Sequence, residues 1–119
     1  RRAIHDFYTK ELAGIEGVSV QQNPSTDFNS NFWLSTVLID PKTGKDPESL
    51  RQFMLDAGVE TRRLWRPMHM QPVFANAPYY GGTTCETLFD RGLCLPSGSG
   101  LKEEELRYVA DKIKEFFNK

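Results

Sequence analysis

The sequence predicts an α+β fold in which a small sheet packs against helices. Three observations carry this prediction. At 119 residues and 13.6 kDa the chain has room for one domain with one modest core. Near its end, Leu106, Val109, Ala110, Ile113, Phe116 and Phe117 recur at helical spacing along one stripe. Near its middle, Phe32 to Ile39 is aromatic and β-branched and apolar on both alternating faces, which suits a strand inside a covered sheet.

In chain order, residues 2–13 place Ile4, Phe7, Tyr8 and Leu12 on one helical face, and Gly14 supplies a stop. His5 falls on the polar face and receives no functional role. Val18-Ser19-Val20 is a short alternating strand that runs into the polar loop Gln21 to Ser30. After the strand 32–39, Asp40 to Gly44 is a turn. Asp46 then caps a helix that begins at Pro47, buries Leu50, Phe53 and Met54, and closes at Gly58. Val59 to Leu64 reads as a second full strand. Arg66 to Gly82, with three prolines and Gly81-Gly82, reads as an ordered connection of a length that is often functional. Thr83 or Thr84 caps a short helix carrying Leu88 and Phe89; Gly92 ends it, and Leu93-Cys94-Leu95 makes a last short strand. Glu103 to Glu105 open the final helix, Leu101 can staple onto Leu106, and Lys102 is a poor cap. The predicted order is α-β-β-α-β-loop-α-β-α, with no internal repeat.

Composition excludes several classes. The apolar share of 39% and charged share of 26% are those of ordinary folded proteins. Fifteen Lys and Arg against sixteen Asp and Glu leave a charge of −1, so no global field recruits nucleic acid or an anionic membrane. Apolar runs such as Val37-Leu38-Ile39 are far shorter than a bilayer span, and no basic-then-apolar signal opens the chain, so a soluble cytoplasmic setting is the default expectation. Cys85 and Cys94 have neither a CxxC nor a zinc-type spacing and are read as free thiols. The chain starts at Arg1, without Met, in what looks like helix interior, which suggests a piece of a longer protein.

There is no Gly-rich phosphate loop, no His/Cys ligand cluster and no GxSxG elbow. The chemistry-bearing stretch is Arg62-Arg63-Leu64-Trp65-Arg66-Pro67-Met68-His69-Met70-Gln71-Pro72-Val73-Phe74. It gathers three arginines, an indole, an imidazole and a carboxamide around two prolines, so several donors for an anionic ligand project from one stiffened segment. The plainer reading puts the arginines on a solvated strand end, with Trp65, Met68 and Met70 filling the core. His69, between prolines and off any apolar helical face, is favoured for function. RNA stacking on Trp65 is the weakest reading, because the chain is near neutral and lacks an RNA-binding motif.

Four stretches together carry a resemblance. Ser30-Asn31-Phe32-Trp33-Leu34-Ser35, Gly58-Val59-Glu60-Thr61-Arg62, Leu64 to Phe74 as above, and Leu88-Phe89-Asp90-Arg91-Gly92-Leu93-Cys94-Leu95-Pro96-Ser97-Gly98 resemble the C-terminal domain of the DegT/DnrJ/EryC1/StrS sugar aminotransferases. The resemblance covers essentially the whole chain. The Trp65 to Phe74 stretch is most similar to the subgroup that aminates UDP-linked 4-keto-6-deoxy-N-acetylhexosamines in bacterial polysaccharide pathways.

The resemblance implies that residues 1–119 are the small domain of a fold-type I enzyme using pyridoxal 5′-phosphate to move an amino group, usually from L-glutamate, onto a nucleotide-linked keto sugar. It implies a separate N-terminal large domain, absent from this chain, that supplies the Schiff-base lysine, and an active site at a homodimer interface. All seven lysines here (Lys10, Lys42, Lys45, Lys102, Lys112, Lys114 and Lys119) read as solvated, so the chain alone is expected to be inactive. His69 matches the family histidine that closes over the active-site mouth, and a substrate-side role is carried over to it. Trp65, Arg66 and Gln71 are further substrate-side candidates, with Asn31 at the start of the central strand; no residue is assigned a catalytic or metal role. Two other readings stand beside this one. One is a free-standing module that binds an anionic metabolite through Arg62, Arg63, Arg66 and His69; the other is an interaction domain whose apolar surface serves assembly.

Overall fold

The computed structural model describes residues 1–119. Helix α1 (Arg2–Leu12) leads to strand β1 (Val18–Val20), then β2 (Ser35–Ile39), α2 (Pro47–Asp56), β3 (Arg62–Arg63), α3 (Thr84–Arg91), β4 (Gly92–Leu95) and α4 (Glu103–Phe117). This is the predicted element order. The four strands form one sheet in the order β1-β2-β4-β3, antiparallel throughout, with Val18 opposite Ile39, Ser35 opposite Leu95 and Arg62 opposite Cys94.

The core lies between one sheet face and three helices. Val37 and Ile39 of β2 and Leu93 and Leu95 of β4 join Tyr8 and Leu12 of α1, Leu50 and Met54 of α2, and the α4 stripe of Leu106, Val109, Ala110, Ile113 and Phe116. Phe117, placed on that stripe by its spacing, is only partly buried against it. Strand β4 is buried along its whole length because its other face is covered too. A Cβ at Gly92 would lie 2.4 Å from Leu64 Cδ1 and 2.6 Å from the Leu88 carbonyl oxygen, so β4 and α3 approach more closely there than any side chain allows.

Local chemistry explains most boundaries. Asp46 Oδ1 accepts from Ser49 N–H at 2.9 Å and Pro47 occupies the first position of α2, as expected. Gly58 then leaves the helix at φ 77°, a conformation that glycine adopts without strain. Lys102 provides no side-chain oxygen to α4; instead its own N–H donates to Glu105 Oε2 at 2.8 Å, the reciprocal half of a capping box. Thr83 stands at the N-cap of α3, but its side chain makes no capping bond, and neither threonine caps the helix as expected.

Three expectations are corrected. The strand read from Phe32 begins only at Ser35, because Phe32 takes φ 48° and two side chains bend the approach. Phe32 N–H donates to Ser30 Oγ and Trp33 N–H to Asn31 Oδ1, both at 3.0 Å, which is turn chemistry. The strand read over Val59 to Leu64 pairs only at Arg62 and Arg63; continuing its register puts Glu60 opposite Pro96, which has no N–H to give the ladder. His5 lies on no polar face. It is 2% exposed, stacks on Phe32 with ring centroids 3.7 Å apart, and bonds the Gln21 carbonyl through Nε2 at 3.0 Å. No helix is long and apolar enough to cross a membrane.

Candidate functional site

Beyond β3 the chain leaves the sheet edge as a loop of two tight turns, Met68–Met70 and Pro72–Phe74, the second with Pro72 at its first position. The core is already filled by helices and sheet, so side chains that plain hydrophobicity would send inward stay outside. Trp65 is 67% exposed and Met68 61%, and Met70 also reaches solvent; the expectation that these three fill the core is corrected. Gln71 braces the loop from within, its Nε2 donating to the Arg66 carbonyl at 3.2 Å.

His69 is the most constrained polar side chain of this loop. Its Nε2 lies 2.6 Å from Glu86 Oε1, on the first turn of α3, and its ring stacks on Tyr79 at 3.9 Å between centroids. Tyr79 is anchored in turn, its hydroxyl donating to the Gly82 carbonyl and lying 3.7 Å from Cys85 Sγ. That hydroxyl titrates above the ordinary tyrosine range, first through the hydrogen bond with Cys85, then through burial and the nearby Cys85 and Glu86 charges. Together the loop and α3 enclose an open groove of 650 Å³ lined by Trp65, Arg66, His69, Gln71, Phe74 and Tyr79, among others. Four of the five candidate residues thus meet in one place. Asn31 is not among them; its Oδ1 is committed to the Trp33 turn.

A neighbouring concavity of 490 Å³ runs along β3 and the end of β4 between Trp33 and Trp65, whose ring centroids are 6.0 Å apart. Trp33 is 58% exposed and so lies outside the packed core. Trp65 borders both depressions.

The arginines do not converge on His69. Arg62 donates to Glu60 Oε1 at 2.7 Å; Arg63 donates to the Phe89 carbonyl at 2.7 Å, with its guanidinium over the Phe89 ring. Successive strand residues point to opposite faces, which separates the two. Arg66 lies over the same Phe89 ring, 5.3 Å from its centroid, and is the one of the three with no carboxylate partner. The shared anion grip expected of Arg62, Arg63, Arg66 and His69 is therefore not formed.

Nucleophilic groups are few. Cys94 is buried, which pushes its thiol up and leaves it inert, while Cys85 is exposed at the groove edge; both are free. Lys10, Lys42, Lys102 and Lys119 are exposed. The half-buried Lys45, Lys112 and Lys114 are tied to the Phe116 carbonyl, Glu115 and Glu11, and no lysine lines the His69 groove. Lys42, Lys45, Lys114 and Lys119 border a separate open depression of 970 Å³ at the end of α4, but each is exposed or already held by a carboxylate or carbonyl oxygen, so none is the desolvated, unpaired amine that a covalently held carbonyl cofactor needs.

A family model described as the DegT/DnrJ/EryC1/StrS aminotransferase family matches residues 1–114. The chain belongs to that family. Across 99% of its length it is 36% identical to EpsN of Bacillus subtilis strain 168, whose provisional assignment is pyridoxal phosphate-dependent aminotransferase. Over the same share it is 30% identical to GDP-perosamine synthase of Escherichia coli O157:H7. It spans 31% of the length of each of these relatives. Among solved structures, DesI with its TDP-sugar product superposes at a TM-score of 0.86 with 27% identity, over 99% of this chain and 30% of DesI.

The sequence singles out His69, Trp65, Arg66 and Gln71, which the fold brings to one groove, but not Tyr79, Cys85 and Glu86, which border them there. No spacing signal marks those three. Glu86 looks like any acidic residue in a first helical turn, and only the fold of the 66–82 connection brings it to a histidine 17 positions earlier.

Proposed function

We propose that this chain is the small, C-terminal domain of a sugar-nucleotide aminotransferase that uses pyridoxal 5′-phosphate to transfer an amino group from L-glutamate to a nucleotide-linked keto sugar. The carrying observation is His69, immobilised by Glu86 and Tyr79 in an open groove with Trp65, Arg66 and Gln71, in a family member that spans about a third of its relatives. The cofactor would act as the electron sink of the reaction and would be held by a lysine of a separate large domain. This chain's part is to bind and orient the sugar nucleotide, and alone it is inactive because its lysines are exposed or already paired and none is a desolvated free amine.

The substrate we favour is a UDP-linked 4-keto-6-deoxy-N-acetylhexosamine. The Trp65 to Phe74 stretch supports that choice; the relatives' names mention other nucleotides, GDP for perosamine synthase and a TDP-sugar for DesI. The large domain and the partner of a homodimer are the natural cover for the exposed apolar loop, where Trp65, Met68, Val73 and Tyr80 all face solvent. The cytoplasm is the compartment we expect.

In the full-length enzyme, His69→Ala tests the substrate-side role. Loss of one such contact should cost about 1–3 kcal/mol, read as a raised KM for the sugar nucleotide. The half-reaction with L-glutamate contains no keto sugar and should be nearly untouched in stopped-flow measurements. A roughly hundredfold slowing of the glutamate half-reaction with unchanged sugar binding would overturn the assignment, since that is the low end of what a general acid or base contributes.

A further inference from the structure

The ring of His69 is held on one nitrogen only. Nε2 is 2.6 Å from Glu86 Oε1, whereas Nδ1 makes no hydrogen bond within the chain and is not sealed from solvent. Tyr79 covers one face of the ring and so restrains its tilt. A carboxylate only accepts hydrogen bonds, so Nε2 must carry its proton whether the imidazole is neutral or charged. The atom left to meet a ligand is Nδ1, which in the neutral ring offers a lone pair.

We infer that Glu86 is a positioning residue for His69: it fixes the Nε2–H form and turns Nδ1 to the groove as an acceptor for a hydroxyl or amide N–H of the sugar. This rests on the substrate-side reading of His69. It also narrows that reading for the neutral ring, whose lone pair at Nδ1 recognises a hydrogen-bond donor such as a ring hydroxyl or an acetamido N–H, whereas the protonated ring would donate Nδ1–H to an acceptor instead. Glu86 itself acts through the imidazole. Its carboxylate is spent on Nε2, and it does not line the groove.

The test has two readouts. In this ¹⁵N-labelled chain the only other histidine is the buried His5, so the two imidazoles are assigned by comparison with His69→Gln. The neutral His69 ring should show a slowly exchanging Nε2–H and an unprotonated Nδ1. Glu86→Gln, whose amide oxygen still accepts, should keep that signal, and Glu86→Ala should lose it. If Glu86→Ala leaves the Nε2–H signal and its exchange unchanged, the inference is overturned.

In the full-length enzyme, Glu86→Ala should raise KM for the sugar nucleotide by up to the roughly 5–150-fold that corresponds to the contact's 1–3 kcal/mol. The double variant Glu86→Ala/His69→Ala should be no worse than His69→Ala alone, because both act through one ring. Additive losses would mean that Glu86 has a role of its own and would also overturn the inference. If His69→Ala leaves KM unchanged while the ring signals behave as expected, the substrate-side reading fails, and with it the sugar-facing role of Nδ1, although the Glu86 tether itself stands.

Discussion

Gly92 shows how much one missing atom decides. It ends α3 and starts β4 in extended backbone, φ −101° and ψ 144°, which any residue could adopt. Conformational freedom is therefore not what requires glycine there. The requirement is space, since Leu64 and the Leu88 carbonyl already occupy the place of a Cβ. Gly92→Ala should force the helix away from the sheet and cost about 1–3 kcal/mol in denaturant melts, the usual penalty of overpacking. A change within about half a kcal/mol, as at an ordinary surface position, would mean that Leu64 yields freely and that α3 is loosely seated. His5 makes the complementary point: an imidazole on the inward side of α1 is held by the stack on Phe32 and by the Gln21 carbonyl at Nε2, while its Nδ1 is buried without a hydrogen-bond partner.

Helices α1 and α4 are joined by their apolar stripes and also by charge. Glu11 accepts from Lys114 Nζ at 2.7 Å and lies 3.9 Å from Arg107. Its carboxyl is held below the ordinary range, chiefly by the Lys114 hydrogen bond and then, against a burial effect of opposite sign, by the Lys114, Arg107 and Lys10 charges. A folded-state value below the unfolded one means that the unfolded chain binds the proton first. The contribution is therefore complete above the unfolded carboxylate range and is lost as pH falls through the folded value. Glu11→Gln should lower stability at neutral pH, and the gap to the parent chain should close in acid. Urea melts at pH 7 and at successively lower pH measure this, and a gap that persists undiminished into acid would show that the pair does not link the helices electrostatically.

For the whole molecule, the salient asymmetry is that three helices and one sheet face are closely packed while the loop over 65–80 displays its apolar side chains. Both tryptophans of the chain belong to that open side, Trp33 at 58% and Trp65 at 67% exposure. The folded chain alone should therefore fluoresce much like its unfolded form and be quenched readily by acrylamide. In the proposed full-length enzyme the same two indoles should be shielded by the large domain and lose that quenching. Strongly blue-shifted, unquenched emission from the isolated chain would instead mean that the loop folds back onto its own domain.

The order of elements, the α4 stripe, the Asp46-Pro47 start of α2 and the glycine exits were legible in the sequence because each depends on residues within one or two turns of one another. The long Trp65 to Phe74 stretch likewise carried the family, since its order of residues needs no fold to be recognised. Other features depended on partners far along the chain. Strand β3 is short because of Pro96, His5 is buried because of Phe32, and Trp65 is exposed because other elements had already filled the core. The same holds for the candidate site: His69 could be chosen from its neighbours, but its tether to Glu86 and its stacking on Tyr79 exist only once the connection has closed back on α3. Local periodicity and capping are short-range physics that a sequence displays directly, whereas register, burial and the aim of a side chain are set by which distant surfaces reach the same space first.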